Sequence, residues 1–248
     1  MRIPMMVLKP FAHGTPKPII SCECFADDMP LVAPSILAAD FANLGEEVRK
    51  VSDAGADFIH VDVMDGIFVP NITIGPSMVK AIRRFSELPF IVHLMITHPE
   101  RHVKAFADSG SDIIEVHVEA EQDIVSTIKL VHDLGKKVGL AINPATPVES
   151  AFPYLREIDI LLVMSVYPGL GGQKFMPEVL PKIPKAKEEM RRLGLAIPVE
   201  IDGGITPETG EPSARAGADI LAAGTSVFKS PDVGEAIRRL RECGTSKL

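Results

Sequence analysis

The chain has 248 residues, of which 46% are apolar and 24% are charged, as in an ordinary soluble globule of one or two domains. A net charge of -7, with no run of Lys or Arg, argues against nucleic acid or an anionic membrane as partner, and no apolar run is long enough to span a bilayer. The three cysteines, Cys22, Cys24 and Cys243, show no paired spacing, which favours a reducing compartment.

Residues 1–29 differ from the rest of the chain and are expected to form an N-terminal extension outside the fold. This stretch is rich in proline and has no sustained hydrophobic period. It also lacks the apolar core followed by small residues that defines a secretory signal peptide. We therefore expect a cytoplasmic protein. A plastid location would require the extension to be a transit peptide, against which its acidic residues and its few Ser and Arg argue.

From Leu31 onward, short apolar runs alternate with amphipathic helical patterns. Apolar residues between the runs recur with helical spacing, although the pattern around residues 149–155 is weak. Such alternation predicts parallel strands joined by right-handed crossovers, and eight repeats within residues 30–248 fit a single-domain (β/α)8 TIM barrel that forms the catalytic domain. The apolar runs are residues 31–36, 57–63, 89–95, 112–118, 137–142, 159–166, 197–202 and 218–223.

An open, doubly wound sheet is the rival architecture. The glycine-rich stretch at residues 169–174 lacks the third glycine of the dinucleotide-binding fingerprint and follows the sixth run, not the first. The residues that are predicted to start and stop the helices are consistent with the barrel. Gly55, Gly110 and Gly135 are predicted to stop helices, and Ser230-Pro231 is predicted to begin the last one.

Polar residues occur at the C-terminal ends of the predicted strands, where active sites of such barrels lie. His60 and Asp62 share one face of the second strand because strand side chains alternate. His93 ends the third strand, and Asp202 ends the seventh. Two imidazoles and two carboxylates suit Zn²⁺, Fe²⁺, Mn²⁺ or Co²⁺. From the residues alone, the alternative stays open that these are ordinary core or rim side chains.

Glycines follow the last three predicted strands, where barrels of this kind commonly bind phosphate through backbone N–H groups. They are Gly169 to Gly172, Gly203-Gly204 and Gly224-Thr225. Met64, Met95 and Met164 lie near strand ends, where they serve either as core filler or as an apolar lining of the mouth. His117 and Glu119 end the fourth strand, and one of them is expected to orient a metal ligand.

Six motifs, in order along the chain, carry a resemblance to a known family. From about Pro30 to Lys229 the chain resembles the ribulose-phosphate 3-epimerases. It departs from the usual family pattern at Tyr167, Leu170 and Thr225, where Asn, Phe and Ser are common, and this puts only the shape of the phosphate loop in question. The motifs are APSILAADF from Ala33, HVDVMDGIFVPNITIGP from His60, HLM from His93, NPATP from Asn143, PGLGGQKF from Pro168 and IDGGI from Ile201.

The resemblance implies one divalent metal ion per chain, held by the equivalents of His60, Asp62, His93 and Asp202. It also implies that Asp62 and Asp202 are the catalytic acid and base. With the methionines of the mouth, the expected substrate-binding residues are Ser35, Met64, His93, Met95, Met164, Gly169, Gly171, Gly172, Gly203, Gly204, Gly224 and Thr225.

The implied reaction inverts C3 of a ketopentose phosphate, converting D-ribulose 5-phosphate to D-xylulose 5-phosphate through a 2,3-enediolate, as in the pentose phosphate pathway. The only expected partners are this small phosphorylated ketose and further copies of the chain in a homo-oligomer. Epimerisation of a ketohexose 6-phosphate such as allulose 6-phosphate is an alternative, as is a phosphate-binding barrel lyase. A non-catalytic sugar-phosphate binder would not need both Asp62 and Asp202.

Overall fold

The computed structural model describes residues 29–120 and 123–244. All but the last residue of the predicted N-terminal extension lies outside the described residues. Met29 itself is exposed and leads directly into the first strand.

Eight parallel strands form one sheet, in which sequence neighbours pair from the second strand to the eighth and the first strand pairs with the last. The first and second strands meet through a bridge between Ser35 and His60, which brings the sheet round into a nearly closed barrel. The predicted TIM barrel is therefore confirmed. The strands are β1 Leu31–Pro34, β2 Ile59–Met64, β3 Phe90–Met95, β4 Ile113–His117, β5 Lys137–Ile142, β6 Ile160–Met164, β7 Val199–Asp202 and β8 Ile220–Ala223.

Helices connect the strands on the outside, except that a 3₁₀ helix at Val148–Tyr154 follows β5. Pro153 lies inside this segment and removes a backbone donor, which explains why the helical pattern there is weak. No helix in the described part of the chain is long and apolar enough to cross a membrane. The α-helices are α1 Leu44–Asp53, α2 Pro76–Arg83, α3 Val103–Asp108, α4 Ile124–Asp133, α5 Lys182–Leu193, α6 Pro207–Ala216, α7 Thr225–Phe228 and α8 Val233–Arg241.

The predicted glycine stops are confirmed, whereas the predicted start of the last helix is wrong. Gly55, Gly110 and Gly135 follow their helices at φ values of 91°, 105° and 70°, which glycine adopts without strain. Helix α8 begins two residues later than Ser230-Pro231 suggests. The Asp232 side chain caps it by accepting from the backbone N–H of Glu235, at 3.0 Å.

Side chains alternate between the barrel interior and the helical layer. On β2, Val61 and Val63 belong to the large apolar cluster that joins strands to helices. Asp62 and Met64 instead line the cavity at the barrel mouth. A smaller apolar cluster fills the bottom of the barrel, so the polar residues above it have a packed floor. Its buried members are Ala33, Phe58, Ile91, Ile113, Ile160 and Ile220.

A repeated aspartate fixes the bottom of the barrel. An Asp that precedes each even-numbered strand accepts a hydrogen bond from a backbone N–H of the preceding odd-numbered strand, and each also pairs with a Lys or Arg. Because a buried strand N–H needs a partner, these carboxylates hold adjacent strands in register. The bonds are Val32 N to Asp57 at 2.8 Å, Phe90 N to Asp112 at 2.8 Å, Val138 N to Asp159 at 2.9 Å and Val199 N to Asp219 at 2.6 Å.

Candidate active site

Closure of the barrel brings the four predicted metal ligands together at its C-terminal end. His60 and Asp62 come from β2, His93 from β3 and Asp202 from β7, and one donor atom of each lies within 4.8 Å of the others. Both histidines are fully buried, and Asp202 is half-buried at the cavity wall. This cluster of nitrogen and oxygen donors could hold a divalent metal ion.

The hydrogen bonds of His60 suit a metal ligand. Its Nδ1 lies 2.9 Å from Oε1 of Glu200, so the carboxylate accepts a hydrogen bond from the Nδ1–H. Its Nε2 lies 3.3 Å from Oδ1 of Asp62 and has no hydrogen-bond partner, although it is buried. A buried nitrogen left without a partner is costly, and a metal ion beside Asp62 would satisfy it. The donor set therefore fits a metal.

A proton competes with a metal ion for His60 Nε2. Burial lowers the pKa of His60, but the charge of Asp62 and the hydrogen bond with Glu200 outweigh it and raise that pKa well above its ordinary value. Metal binding must displace this proton, so it weakens as the pH falls.

His93 lies between the metal ligands and a second histidine. Its Nδ1 is 3.3 Å from Oδ1 of Asp62, and its Nε2 is 2.8 Å from Nε2 of His117. His117 Nδ1 in turn lies 3.0 Å from Oε2 of Glu119. Burial, opposed by the hydrogen bond with Asp62, lowers the pKa of His93 to about 4, so its imidazole is neutral at physiological pH.

The two central carboxyl groups differ in their affinity for protons. Burial opposes ionisation of Asp62, but the adjacent His60 and His93 outweigh it and hold the pKa of Asp62 well below its ordinary value. Burial, and then the charge of Asp62, raises the pKa of Asp202 to about 7. The site therefore holds one ionised carboxylate beside one carboxyl that keeps its proton near neutral pH. Ser35 Oγ donates to Asp62 Oδ2 at 2.5 Å, which further favours the ionised form of Asp62.

Two glutamates for which the sequence predicted no role lie below the metal ligands. Glu200 and Glu115 are fully buried inside the barrel, next to His60. Burial and then the charge of Glu200 raise the pKa of Glu115 well above its ordinary value, so Glu115 is neutral. The alternation of side chains along a strand could have identified Glu200, because it lies two residues before Asp202 and so shares its face of β7.

A cavity of about 620 Å³ opens above the metal ligands. His60 and His93 lie beneath its floor and do not line it, because they are fully buried. Met64 and Met95 pack together at the cavity, whereas Met164 belongs to a separate apolar cluster with Val166, at the end of the strand that leads into the loop of Gly169 to Gly172. The predicted residues that line the cavity are Ser35, Asp62, Met64, Met95, Met164, Gly169, Gly171, Gly172, Asp202, Gly203, Gly204, Gly224 and Thr225.

A family model for ribulose-phosphate 3-epimerases matches residues 31–228, which cover all eight strands and every cavity residue named above. The chain belongs to the ribulose-phosphate 3-epimerase family. A relative of that name from Synechocystis sp. is 50% identical over 85% of this chain and 93% of its own length. The enzyme of the same name from Bacillus subtilis is 48% identical over 85% of this chain and 97% of its own.

A further epimerase relative is the chloroplastic ribulose-5-phosphate-3-epimerase of Arabidopsis thaliana. It is 43% identical over 92% of this chain and 82% of its own length. Solved structures of other barrels show the same fold at low sequence identity. KGPDC from Streptococcus mutans covers 86% of this chain and 96% of its own, with a TM-score of 0.66 and 14% identity. The 3-hexulose-6-phosphate synthase of Salmonella typhimurium covers 86% and 97%, with a TM-score of 0.64 and 18% identity.

Two of the departures from the usual epimerase pattern lie on the loop after β6. Tyr167 and Leu170 are both exposed, with relative accessibilities of 53% and 64%. Leu170 lines the cavity, and Gln173 holds the loop by donating to the backbone carbonyls of both residues. Lys174, on the same loop, is a cationic residue of the cavity that the sequence analysis did not select.

Proposed function

We propose that this chain is a metal-dependent ribulose-phosphate 3-epimerase that works by two-base proton transfer. The observation that carries the proposal is the contrast between Asp62 and Asp202 within one cavity. The pKa of Asp62 lies well below its ordinary value, whereas that of Asp202 is raised to about 7. Inversion at a carbon centre needs a base for one face and an acid for the other, and in the metal-free protein this pair holds one proton near neutral pH.

Each aspartate serves one face of the substrate. In one direction, ionised Asp62 takes the proton from C3 of the ketose, and the electron pair delocalises into the C2 carbonyl to give a 2,3-enediolate. Protonated Asp202 then delivers its proton to the opposite face of C3, so that the configuration inverts. The reverse reaction uses the same groups with their roles exchanged, which conserves one shared proton over the cycle.

His60, Asp62, His93 and Asp202 would hold the metal ion. When bound, a divalent ion would act as a Lewis acid that stabilises the negative charge developing on the substrate oxygens. The mixed imidazole and carboxylate donors suit Zn²⁺, Fe²⁺, Mn²⁺ or Co²⁺. Glu200 positions the His60 ring through its Nδ1–H, and the buried methionines keep water from the reacting carbon.

The phosphate is proposed to bind at the glycine-rich side of the cavity, away from the metal ligands. Gly203 and Gly204 turn the chain after β7 with φ values of 117° and 63°, and Gly224 leads into α7. Their backbone N–H groups suit an anionic oxygen, and Lys174 adds a positive charge. Binding energy from the phosphate would then align C3 between the two aspartates.

The test is exchange of the C3 proton in heavy water, with a panel of ketopentose and ketohexose phosphates as substrates. Asp62→Asn and Asp202→Asn should each lose most epimerisation, while one variant still exchanges the C3 proton of a single epimer. Near-native turnover in both variants would contradict the two-base mechanism. A clear preference for a ketohexose phosphate would reassign the substrate and leave the chemistry unchanged.

Metal dependence is tested separately. Purified protein should contain about one divalent ion per chain, chelation should abolish turnover, and metal should restore it. Full turnover by metal-free protein would refute this part of the proposal.

We propose a cytoplasmic homo-oligomer. Exposed apolar side chains at the barrel mouth, Ile67, Ile72 and Leu170, support contact between copies. Light scattering after size exclusion would show the assembly, and a single-chain mass would refute it. Localisation of the full chain fused to a fluorescent protein would test the compartment, and a plastid signal would identify residues 1–29 as a transit peptide.

A further inference from the structure

A line of hydrogen-bonding groups runs from the metal ligands to Glu119, which is not itself a ligand. It passes from Asp62 to His93, to His117 and to Glu119, with separations of 3.3, 2.8 and 3.0 Å. Both histidines are fully buried, and the Glu119 side chain is about one-quarter exposed. The nitrogens of the two rings approach to 2.8 Å while the ring centres stay 5.0 Å apart, so the rings meet edge to edge.

The direction of these hydrogen bonds follows from the chemistry of Glu119. An ionised carboxylate can only accept hydrogen bonds, so His117 Nδ1 must carry a proton and donate it in the hydrogen bond to Glu119. A neutral His117 then has an unprotonated Nε2, which accepts from His93. Ionised Asp62 also only accepts and favours a proton on Nδ1, whereas the contact with His117 favours a His93 that carries its proton on Nε2. The proton on Nε2 leaves the Nδ1 lone pair free, and Nδ1 is the atom that lies beside Asp62.

The opposite direction of these hydrogen bonds would prevent His93 from binding a metal ion. If His117 donated through Nε2, then His93 Nε2 would accept and a neutral His93 would carry its proton on Nδ1. That proton would point at Asp62 and occupy the position that a metal ion needs. A neutral histidine presents only one lone pair, so the tautomer decides whether His93 is a ligand.

We propose that Glu119, acting through His117, fixes His93 in the tautomer that offers Nδ1 to the metal. Glu119 is thus a positioning residue, two side chains away from the ion. The proposal rests on the metal dependence proposed above. It also makes the two histidine ligands alike, because Glu200 fixes His60 directly and Glu119 fixes His93 through one intermediate ring.

The surroundings of Glu119 make Glu119→Gln a decisive substitution. Oε1 of Glu119 accepts from the backbone N–H of Asn143 at 2.8 Å and from the hydroxyl of Thr146, whereas Oε2 faces His117. The Asn143 N–H needs an acceptor, so the amide oxygen of Gln should take the Oε1 position. The amide NH₂ then faces His117 Nδ1 and donates to it. The hydrogen bonds reverse, and the proton of His93 moves to Nδ1 without any change in side-chain size.

The experiment measures metal affinity and histidine tautomers in the full-length protein. Zn²⁺ binding to metal-free protein is followed by calorimetry, and the His93 tautomer is read from ¹⁵N NMR shifts of the same metal-free sample. Glu119→Gln should raise the fraction of His93 that carries its proton on Nδ1 and weaken Zn²⁺ binding by roughly 10- to 100-fold. Saturating metal should restore part of kcat, which a general structural defect would not allow.

Thr146→Val is the matched control. It removes one hydrogen bond to Glu119 but leaves Oε2 an acceptor for His117, so affinity and tautomer should both stay native. His117→Phe, which keeps an aromatic ring beside Phe68, should weaken Zn²⁺ binding by removing the acceptor of His93. A native Zn²⁺ affinity in Glu119→Gln, with or without a tautomer change, would overturn the proposal. Absence of Zn²⁺ binding by the unmodified protein would instead overturn the proposed metal dependence.

Discussion

Replacing Gly204 with alanine should displace the loop after β6, which forms part of the active-site wall. Gly204 has a φ of 63°, and a Cβ added there would lie 2.8 Å from the carbonyl oxygen of Gln173 and 2.8 Å from the backbone nitrogen of Phe175. These contacts are backbone atoms of the loop after β6, so no rotamer change can relieve them. The loop itself must move, and it carries several of the residues that line the cavity.

The cost has two parts. A non-glycine residue in the left-handed region costs roughly 1–2 kcal/mol, and forcing a methyl group into a packed site costs roughly a further 1–3 kcal/mol. Together they predict a loss of about 2–5 kcal/mol in the free energy of unfolding. For a domain of this size that lowers Tm by roughly 4–20 °C. Displacement of the loop should also reduce kcat/KM by roughly tenfold to a hundredfold.

Thermal unfolding checks the predicted change in Tm, and steady-state kinetics check the predicted change in kcat/KM. Gly171→Ala is the control. Gly171 lines the same cavity, but a Cβ there would make only an ordinary contact with Leu37 at 3.8 Å. Gly171→Ala should therefore keep the native Tm. If Gly204→Ala were as stable and as active as Gly171→Ala, the loops after β6 and β7 would not pack as described.

Three further predictions concern stability. Asp112→Ala leaves the buried Phe90 N–H without its acceptor and should lower the free energy of unfolding in urea by about 1–3 kcal/mol. The control Asp108→Ala breaks an exposed pair with Lys104 and should lower it by less than about 0.5 kcal/mol. Equal effects would refute the role of the repeated aspartates. Burial raises the pKa of Asp202 from 3.8 to about 7, so folded metal-free protein keeps a proton that the unfolded chain has lost, and its stability should fall as the pH rises through this window. Asp202→Asn should flatten that fall between about pH 4 and about pH 7, and an unchanged pH profile would contradict the shift. A chain that begins at Met29 should unfold at the native temperature and turn over at the native rate, and a loss of either would show that residues 1–28 support the fold.

Local periodicity predicted the architecture because it reports which side of each element is buried. The alternation on β2 predicted that His60, Asp62 and Met64 share one face, and they do point into the barrel. The family resemblance then named the residues of the cavity. The start of α8 was mispredicted because a Ser-Pro pair and an Asp two residues later are both good helix starts, and only the folded chain shows which side chain caps the helix.

The sequence by itself determined the number of strands and the inward face of β2, because these depend on spacings of two to four residues. The residues expected at the mouth came from the family motifs. Only the tertiary structure decided which atoms face each other. His60 and Glu200 are 140 positions apart, and barrel closure alone brings them to 2.9 Å. The contacts of Glu119 with Asn143 and Thr146 likewise arise only in the folded barrel, because no local pattern connects these residues. The proposed metal ligands therefore follow from the motifs, whereas their protonation depends on contacts between strands.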